Sequence, residues 1–251
     1  MMGSNFYSGT SGLLLPVANK QAYPAEFRES SRLQYYSSLF NSMEINSTFR
    51  KIPMQRTVQR WTREVPSDFR FTFKMPEAIS HARGLKYPPD ILYRFLEAIT
   101  NADTHAGCIL LQFPRSFTAE DPDAVYELLR LTRENISDKW DLAVEFRDLS
   151  WYRKPVIKQM KRYQATYVTH DWHSTKHELP QIITGSTVYL RFHGPEKGYR
   201  GSYSHETISQ YAMQIKNWLK KKLRVYVYFN NTLGEAMTNL QLLNSMMNET
   251  D

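Results

Sequence analysis

The sequence predicts a single (β/α)8 barrel, a TIM barrel with a parallel eight-stranded core, over residues 1–251 as one domain. Two observations support this fold class. Several short segments alternate between bulky apolar residues on one face and small, aromatic or polar residues on the other, which is the period of a β-strand. Segments with helical spacing lie between those strands, and that order is typical of right-handed βαβ units in a parallel sheet.

The alternating segments number about eight, which is the number that closes a barrel. The alternation is clearest in "FRFTFK", "DLAVEFRD", "TVYLRFHG" and "RVYVYFNN". In the second of these, Leu142, Val144 and Phe146 form the apolar face, whereas Glu145 and Arg147 share the other face. We predict strands over residues 6–9, 40–46, 69–74, 108–113, 142–147, 165–171, 188–193 and 224–230.

Three segments between the strands have the spacing of amphipathic helices. The clearest runs from Ile208 to Leu219, with Ser204 as its predicted N-cap. Residues 91–99 and 125–129 repeat the pattern. Three consecutive lysines at residues 220–222 follow Leu219 at the end of the clearest helix, where their charges would complement the helix dipole.

An open, doubly wound α/β sheet is the rival architecture, and it usually has a glycine-rich phosphate loop after its first strand. The segment "GTSG" follows the first predicted strand, but it lacks the G-x-G-x-x-G spacing. Barrel closure also explains why the second face of several strands carries small, aromatic or polar residues, since that face would point into the barrel interior. We predict that Tyr167, Tyr189, Tyr226 and Tyr228 fill the barrel interior, while Val, Leu and Phe side chains face outward beneath the helices.

The composition limits the partners and the location of the protein. Its 32 Lys and Arg against 25 Asp and Glu give a net charge of +7, which suits an anionic partner or simply favours solubility. Its single cysteine, Cys108, lies in the apolar run "CILLQF", which predicts a buried thiol. The longest early apolar stretch, Leu13 to Leu15, is too short for a signal peptide or a membrane span. We therefore predict a cytoplasmic protein with no membrane partner.

Polar side chains concentrate at the last positions of the predicted strands, just before each loop. The carboxyl ends of all barrel strands open on one mouth, so these side chains should meet there. Charges are costly to bury unless they are paired or used, and such a cluster therefore favours a functional site. For proton transfer we predict Glu145, Asp171 and His193, and for substrate binding Glu44, Asn46, Lys74, His81, Gln112, Arg147, Arg191, Tyr199, Asn230 and Asn231.

Two explanations of this cluster remain open. Glu145 and Arg147 lie two residues apart and point the same way, so a structural salt bridge explains the pair. In the functional explanation, Arg147 and Arg191 clamp an anionic group while Glu145 or Asp171 handles protons. His193 suits proton transfer near neutral pH, although a lone histidine is more often simply hydrogen bonded.

A metal site is the less favoured alternative. In "DWHSTKH", Asp171, His173 and His177 are metal-ligand types, but their spacing fits no closed zinc site. A more credible divalent-metal set at the mouth would comprise Glu44, Glu145, Asp171 and His193. Cations lie beside that set, so we predict no bound cofactor and keep a divalent metal as the alternative.

Aromatic residues near loops are candidates for ligand stacking. Trp151, Tyr199 and Tyr203 could stack on a ring or a base. The segment "HGPEKGYRGSY" is rich in Gly and Tyr, which predicts either a flexible lid over the mouth or an ordinary loop.

Six elements occur in order over nearly the whole chain: "FNSMEINSTFRKIP", "FRFTFKMPEAISH", "LLQFPRSF", "LAVEFRDLSW", "YLRFHG" with "YRGSYS", and "VYVYFNNTLGEAMTNL". Together they resemble the YecE-like family, a domain of unknown function (number 72). The resemblance implies a TIM-barrel fold and no settled activity. This chain departs from the family pattern at Arg50, where a tyrosine is usual, and at Leu13, where a tryptophan is usual. The resemblance implies that the characteristic polar positions are Glu44, Asn46, Thr48, Lys74, His81, Gln112, Glu145, Arg147, Asp171, Arg191, His193, Asn230 and Asn231.

Two functions fit these observations. The first is an enzyme, a hydrolase or a lyase, that acts on an anionic substrate, such as a phosphate-bearing compound, at the carboxyl-end mouth. The second is a non-catalytic binder of nucleic acid or of an anionic metabolite, whose affinity should fall steeply with salt. The sequence leaves the substrate, the reaction and the oligomeric state open.

Overall fold

The computed structural model of the protein describes residues 5–120, 122–171 and 180–249. Eight parallel strands form its core, and each overlaps its predicted segment, so the barrel prediction is confirmed. The strands are β1 (Phe6–Thr10), β2 (Ser42–Ile45), β3 (Arg70–Lys74), β4 (Ala106–Gln112), β5 (Asp141–Glu145), β6 (Ala165–His170), β7 (Thr187–Phe192) and β8 (Arg224–Phe229).

Helices connect the strands and cover the outside of the barrel. The three helices predicted from apolar spacing are confirmed, and Ser204 Oγ caps the longest by accepting a hydrogen bond from the Thr207 amide. No helix among the described residues is long and apolar enough to cross a bilayer. The described helices are α1 (Arg32–Leu39), α2 (Gln55–Arg63), α3 (Glu77–Ser80), α4 (Pro89–Thr100), α5 (Asp123–Glu134), α6 (Lys154–Arg162), α7 (His205–Lys220) and α8 (Ala236–Asn248).

The strands pair in the order β1-β8-β7-β6-β5-β4-β3-β2, and the barrel closes between β1 and β2. At this seam, the side chain of Asn41 makes hydrogen bonds to β1 in place of a regular backbone hydrogen-bond ladder. Asn41 Oδ1 accepts a hydrogen bond of 2.9 Å from the Ser8 amide, and Asn41 Nδ2 donates one of 2.8 Å to the Phe6 carbonyl. A parallel bridge between Ser11 and Glu44 continues the seam toward the mouth.

Glycine is required where β1 approaches β2 most closely. A Cβ atom at Gly9 would lie 2.0 Å from the Ser42 carbonyl oxygen, which no side chain could tolerate. The Tyr36 hydroxyl spans the same gap, since it lies 3.1 Å from the Ser42 carbonyl and 2.7 Å from the Thr10 amide. These contacts fix β1 and β2 at the spacing that brings their last residues together.

Aromatic residues fill the barrel interior, as predicted for Tyr189, Tyr226 and Tyr228. The prediction for Tyr167 is wrong, because this side chain faces the helices and donates a hydrogen bond of 2.9 Å to the Trp151 carbonyl. Apolar residues occupy both faces of "ATYVTH", so alternation alone did not orient this strand. The interior cluster comprises Tyr7, Cys108, Leu110, Ala143, Val168, Tyr189, Tyr226 and Tyr228.

Polar groups close both ends of this interior. At the amino end, the Asp141 carboxylate accepts hydrogen bonds from Thr187, Arg224 and Tyr226. Cys108, which lies beside Asp141 in the strand register, is fully buried, and burial raises the pKa of its thiol well above the ordinary value, so the predicted buried thiol is confirmed. The remaining polar side chains lie at the carboxyl end, where the candidate site is.

Candidate functional site

Strand alternation places one polar side chain at the inner rim of the mouth from most strands. Each is the last inward-facing residue of its strand, because successive side chains of a strand point to opposite faces. Register keeps neighbours level, as for Gln112 beside Glu145 and His170 beside Arg191. The inward-facing rim residues are Glu44, Lys74, Gln112, Glu145, His170 and Arg191.

Arg191 lies between two buried carboxylates at the centre of the rim. Its Nη2 is 2.8 Å from Glu44 Oε1, and its Nη1 is 3.0 Å from Glu145 Oε2. Only 2% of Arg191 is exposed, and neither glutamate is exposed. The guanidinium therefore joins β2, β5 and β7 in one ion-pair network, and its charge is matched within the protein.

Glu44 is ionised despite complete burial. Its carboxylate also accepts hydrogen bonds from Tyr189 (2.5 Å) and from Ser11 (2.7 Å). Burial opposes the charged form, but Arg191 and these two hydroxyls outweigh it and lower the pKa of Glu44. The hydroxyl of Tyr189 was outside the predicted site, because the sequence marks this residue only as interior filling.

Glu145 is the most heavily paired carboxylate of the site. Arg147 Nε donates a hydrogen bond of 2.9 Å to Oε1, and His193 Nε2 lies 3.3 Å from the same atom. Burial again opposes ionisation, but the charges of Arg191 and Arg147 hold the pKa of Glu145 well below its ordinary value. Glu145 is therefore a carboxylate at neutral pH.

His193 is buried and neutral. Burial is the main cause that lowers its pKa to about 3, and the nearby Glu145 only partly offsets it. Asn230 Nδ2 lies 3.0 Å from His193 Nδ1, so Nδ1 accepts and Nε2 holds the proton that faces Glu145. The contact between His193 and Glu145 is thus a hydrogen bond from a neutral ring.

Lys74 differs from the two arginines because it lacks a carboxylate partner. Among the described residues, no carboxylate oxygen lies within 4.0 Å of its Nζ. Its Nζ lies instead 4.0 Å from the centre of the Phe49 ring, and only 9% of Lys74 is exposed. Burial lowers the pKa of Lys74 to about 8, and the charge of Arg191 contributes in the same direction.

A short helical turn, Asn46–Phe49, positions that ring. Thr48 Oγ1 lies 2.6 Å from the Lys74 carbonyl and 2.8 Å from the Ile45 carbonyl, which ties the turn to the ends of both β2 and β3. The Phe49 ring then contacts His81 edge to face at a centroid distance of 5.0 Å. Burial lowers the pKa of the half-buried His81, and Lys74 lowers it further.

Asp171 lies beside this network rather than inside it. Its Oδ1 accepts a hydrogen bond of 2.7 Å from the His193 amide, and its Oδ2 accepts one from the Tyr203 hydroxyl. Burial raises the pKa of Asp171. The carboxylate therefore holds the backbone behind His193 in this structure.

The loop after β7 folds over the carboxyl end of the barrel. Gly194 has φ of +102°, and a Cβ there would lie 2.2 Å from the Arg200 carbonyl oxygen. The Tyr199 ring lies 5.9 Å from the His193 ring, which brings Tyr199 to the site. Asn231 anchors the loop because its Nδ2 donates a hydrogen bond of 3.0 Å to the Gly201 carbonyl.

The two remaining predicted amides lie at the rim with different roles. Gln112 Nε2 donates a hydrogen bond of 2.8 Å to the Phe113 carbonyl. Asn46 Oδ1 is buried and has no hydrogen-bond partner among the described residues. Asn46 therefore presents an unused acceptor beside the mouth.

His170 is a site residue that the sequence analysis missed. It stands with Glu145 and His193 in a group whose ligand atoms lie within 4.8 Å of one another. Its Nε2 lies 3.0 Å from the Phe146 carbonyl, and burial lowers its pKa. Strand alternation could have identified His170 as the last inward residue of β6, but we predicted the adjacent Asp171 instead.

The metal-ligand types of the mouth therefore group differently from the predicted set. Glu145 and His193 meet His170, whereas Glu44 and Asp171 lie outside that group. Both carboxylate oxygens of Glu145 already accept hydrogen bonds from arginines, which compete with any cation there. The two histidines of "DWHSTKH", His173 and His177, lie outside the described residues.

The prediction that Trp151 could stack on a ligand is wrong. This side chain is fully buried, its ring stacks on Phe146 at 4.3 Å, and its Nε1 donates a hydrogen bond to the Phe117 carbonyl. The sequence showed only that Trp151 follows a strand end, whereas its burial depends on apolar contacts beneath the loop.

Comparison with known sequences places the chain among proteins without an assigned activity. Residues 7–251 match the family described as "Protein of unknown function DUF72". The UPF0759 protein YunF of Bacillus subtilis is 26% identical over 245 residues, and the alignment covers 84% of each chain. The UPF0759 protein YecE of Escherichia coli K12 is 30% identical over 122 residues, which cover 49% of this chain and 43% of that protein.

Solved structures with the same fold include two DUF72 family proteins. The one from Thermotoga maritima has a TM-score of 0.76 and 27% identity, covering 97% of this chain and 99% of that chain. The one from Enterococcus faecalis has a TM-score of 0.77 and 20% identity, covering all of both chains. The second likeness concerns the fold alone.

Proposed function

The chain belongs to the DUF72 family of proteins of unknown function, and we propose that it is an enzyme acting on a small anionic substrate at the barrel mouth. Phosphate esters and carboxylates are the two substrate classes that fit. Lys74 neutralises the anionic group, and Glu145, which is hydrogen bonded to His193, accepts protons. This assignment covers lyase and hydrolase chemistry.

The observation that supports this proposal most is the unmatched charge of Lys74. Two arginines, Arg147 and Arg191, are paired with the two glutamates of the rim, Glu44 and Glu145. Lys74 adds a third cation without a third carboxylate within 4.0 Å among the described residues. A buried cation without a counterion is costly, and an anionic ligand would supply the missing charge.

Arg191 takes a different role in this proposal from the anion clamp that its sequence position suggested. Its guanidinium is occupied by Glu44 and Glu145, so it cannot also hold a substrate in a bidentate manner. Instead it keeps Glu145 ionised at neutral pH. It is a positioning residue for the carboxylate that accepts protons.

Glu145 is the proton acceptor of the proposed site, and His193 supports it as a hydrogen-bond donor. Glu145 is ionised, and Nε2 of the neutral His193 holds its proton 3.3 Å from Glu145 Oε1. Asp171 supports the pair by binding the His193 amide. Arg147 and His81 both interact electrostatically with Lys74 and are the further candidates for contact with the anion.

Binding of nucleic acid or of an anionic metabolite without catalysis is the second candidate function. The observation in favour of nucleic acid is a basic face at the amino ends of the strands, where α6 and α7 end in Lys161, Arg162 and Lys220 and where Arg224 opens β8. A steep fall in DNA or RNA affinity with salt would support this function, because phosphate contacts release counterions. Affinity that is absent or independent of salt would dismiss it.

Calorimetric titration with inorganic phosphate near neutral pH tests the proposed anion site. We expect binding to the wild-type protein, and Lys74→Met should weaken it by at least about tenfold. Lys86→Met is the matched control, because Lys86 is exposed and its loss should change affinity by less than about twofold. Equal affinity in wild type and Lys74→Met would contradict the proposal.

Catalysis requires a second measurement. The protein is incubated with a pool of small anionic metabolites, and mass spectrometry follows which species disappear. We expect at least one species to be consumed by the wild type and not by Glu145→Gln, which keeps the shape of the side chain but cannot accept the proton. Consumption by neither protein, with phosphate binding intact, would favour the non-catalytic function.

A further inference from the structure

Lys74 has the surroundings of a reactive amine as well as those of a binding cation. Its side chain is the last inward-facing residue of β3, and its Nζ rests 4.0 Å from the face of the Phe49 ring. It has neither an ion pair nor a hydrogen bond to a side chain of the described residues. The lone pair of its amine form would therefore not be occupied by a hydrogen-bond donor from the described part of the chain.

The charged groups around Lys74 favour loss of its proton. Burial contributes most and Arg191 next, whereas Glu145 and Glu44 act in the opposite direction but are already paired with arginines. The charge of Arg147 lowers the pKa of Lys74 further, and His81 faces the same Phe49 ring in neutral form. With a pKa of about 8, roughly a tenth of Lys74 is free amine at pH 7, on the order of 300 times the fraction of an ordinary lysine.

We propose that Lys74 is a covalent nucleophile that forms an imine with a small aldehyde or ketone carrying a carboxylate or a phosphate group. This inference rests on the proposed function, because it assigns the substrate class of the same mouth. Lysine amines that are desolvated or adjacent to other cations are activated for this chemistry.

The step balances without an oxidant or a reductant. The lone pair of Nζ attacks the carbonyl carbon, and the new C–N bond forms as the C=O π electrons move to oxygen. The oxygen then leaves as water, with one proton from Nζ and one from solvent, which gives a protonated imine. That imine keeps the positive charge of the lysine, so the anionic group of the substrate stays neutralised.

The imine also makes the adjacent carbon of the substrate more acidic, so that a nearby base can remove a proton from it. A protonated imine withdraws electrons from the adjacent carbon, so a proton or a carbon substituent there leaves more easily. Glu145 is an ionised carboxylate on the same rim as Lys74 and can accept such a proton. Lyases use this chemistry, and it needs only the ionised Glu145 already described as the proton acceptor.

Borohydride trapping tests the inference on the full chain. The protein is incubated separately with pyruvate, with dihydroxyacetone phosphate and with uncharged hydroxyacetone, and sodium borohydride then reduces any imine to a stable secondary amine. Peptide mass spectrometry locates the label. We expect label on Lys74 at least about tenfold above that on exposed Lys86, with the anionic probes only.

Two variants separate this inference from the proposed function. Lys74→Arg keeps the charge but cannot form an imine, so it should still bind phosphate and should lose the label. Lys86→Arg should keep both. Phosphate binding without label on Lys74 would overturn the imine while leaving the anion site intact, and equal labelling of exposed lysines would also overturn it. Comparing the labelling of Lys74 by pyruvate with that by dihydroxyacetone phosphate shows whether a carboxylate or a phosphate group is preferred.

Discussion

Arg191 and Lys74 both place a positive charge inside the barrel, but they differ in whether a carboxylate lies close by. Arg191 has two carboxylates within 3.0 Å, whereas Lys74 has none within 4.0 Å among the described residues. The first arrangement contributes to stability only as an intact network, and the second costs stability outright. Residues that cost stability in a folded protein are those expected to serve function.

Replacement of Lys74 by methionine should stabilise the protein. Its pKa of about 8 in the fold lies below the unfolded value near 10.5, so at neutral pH the buried ammonium disfavours the native state. We expect Lys74→Met to raise the free energy of unfolding by roughly 1 to 3 kcal/mol in urea titrations near pH 7. The gain should shrink as pH rises through 8 toward the unfolded pKa, since only the native state has then lost its proton. Lower stability in this variant would refute the cost assigned to Lys74.

Sulfate binding at the mouth should depend on the charge of Lys74. Sulfate stays doubly charged across the neutral range, whereas Lys74 loses its proton as pH rises through about 8. Affinity should be constant below that value and should fall by up to about tenfold per pH unit above it. Calorimetry at several pH values measures this, and an affinity that stays flat to about pH 9.5 would rule out Lys74 as the binding cation.

Loss of Arg191 should destabilise the fold strongly. Arg191→Met leaves Glu44 and Glu145 buried without their shared cation, which should lower the free energy of unfolding by about 3 to 5 kcal/mol. Arg130 is the matched control: it also bridges two glutamates, Glu127 and Glu134, but at the surface. Arg130→Met should cost less than about 1 kcal/mol.

A triple variant separates unpaired charge from lost packing. Glu44→Gln, Glu145→Gln and Arg191→Met together remove the three charges of the buried Glu44–Arg191–Glu145 group, while Arg147, whose side chain is 10% exposed, loses its ion pair with Glu145. Urea titration should show that at least about half of the stability lost in Arg191→Met returns. If the triple variant is as unstable as the single one, packing of the guanidinium matters more than its charge.

The sequence predicted the inward-facing rim residues other than His170, but it did not predict how they pair. Glu44 and Arg191 are 147 positions apart, and nothing in either segment indicates that they are partners. Strand alternation gives the direction of a side chain, whereas the identity of its neighbour depends on register around a closed barrel. This is why Arg191 was assigned to the substrate and His170 was not assigned at all.

At the scale of elements, the seam between β1 and β2 depends on a side chain. Asn41→Ala removes both the acceptor for the Ser8 amide and the donor to the Phe6 carbonyl. We expect a loss of about 1 to 3 kcal/mol in stability and faster hydrogen exchange at Ser8, because one amide loses its partner. Asn135→Ala is the control, since its amide caps an exposed helix end with one hydrogen bond. Unchanged exchange at Ser8 would show that the backbone closes the barrel without Asn41.

Strand and helix positions were the most predictable part of the fold. Segments such as "DLAVEFRD" keep strict alternation; their faces agree with the structure, and the observed strand Asp141–Glu145 lies within two residues of the predicted 142–147 at each end. The sequence "ATYVTH" has apolar residues on both faces, so the orientation of Tyr167 could not be decided locally. Burial of Trp151 beneath the loop after β5 depended on contacts with Phe117 and Phe146 from other parts of the chain.

At the scale of the whole molecule, the two ends of the barrel differ in the use of charge. At the amino end, basic residues close α6 and α7, where they complement helix dipoles. At the carboxyl end, cations and carboxylates are buried together, and one cation is left unmatched among the described residues. Complementing the helix dipoles stabilises the first arrangement, and the anionic ligand that we propose would account for the second.

The most direct test of this account is a crystal structure of the protein soaked in phosphate near neutral pH. We predict density for one anion within about 3 Å of Lys74 Nζ, on the side that faces the mouth, and no such density in Lys74→Met. A mouth without an anion at saturating phosphate, or anions bound only at the amino end beside Lys161 and Arg224, would contradict the account.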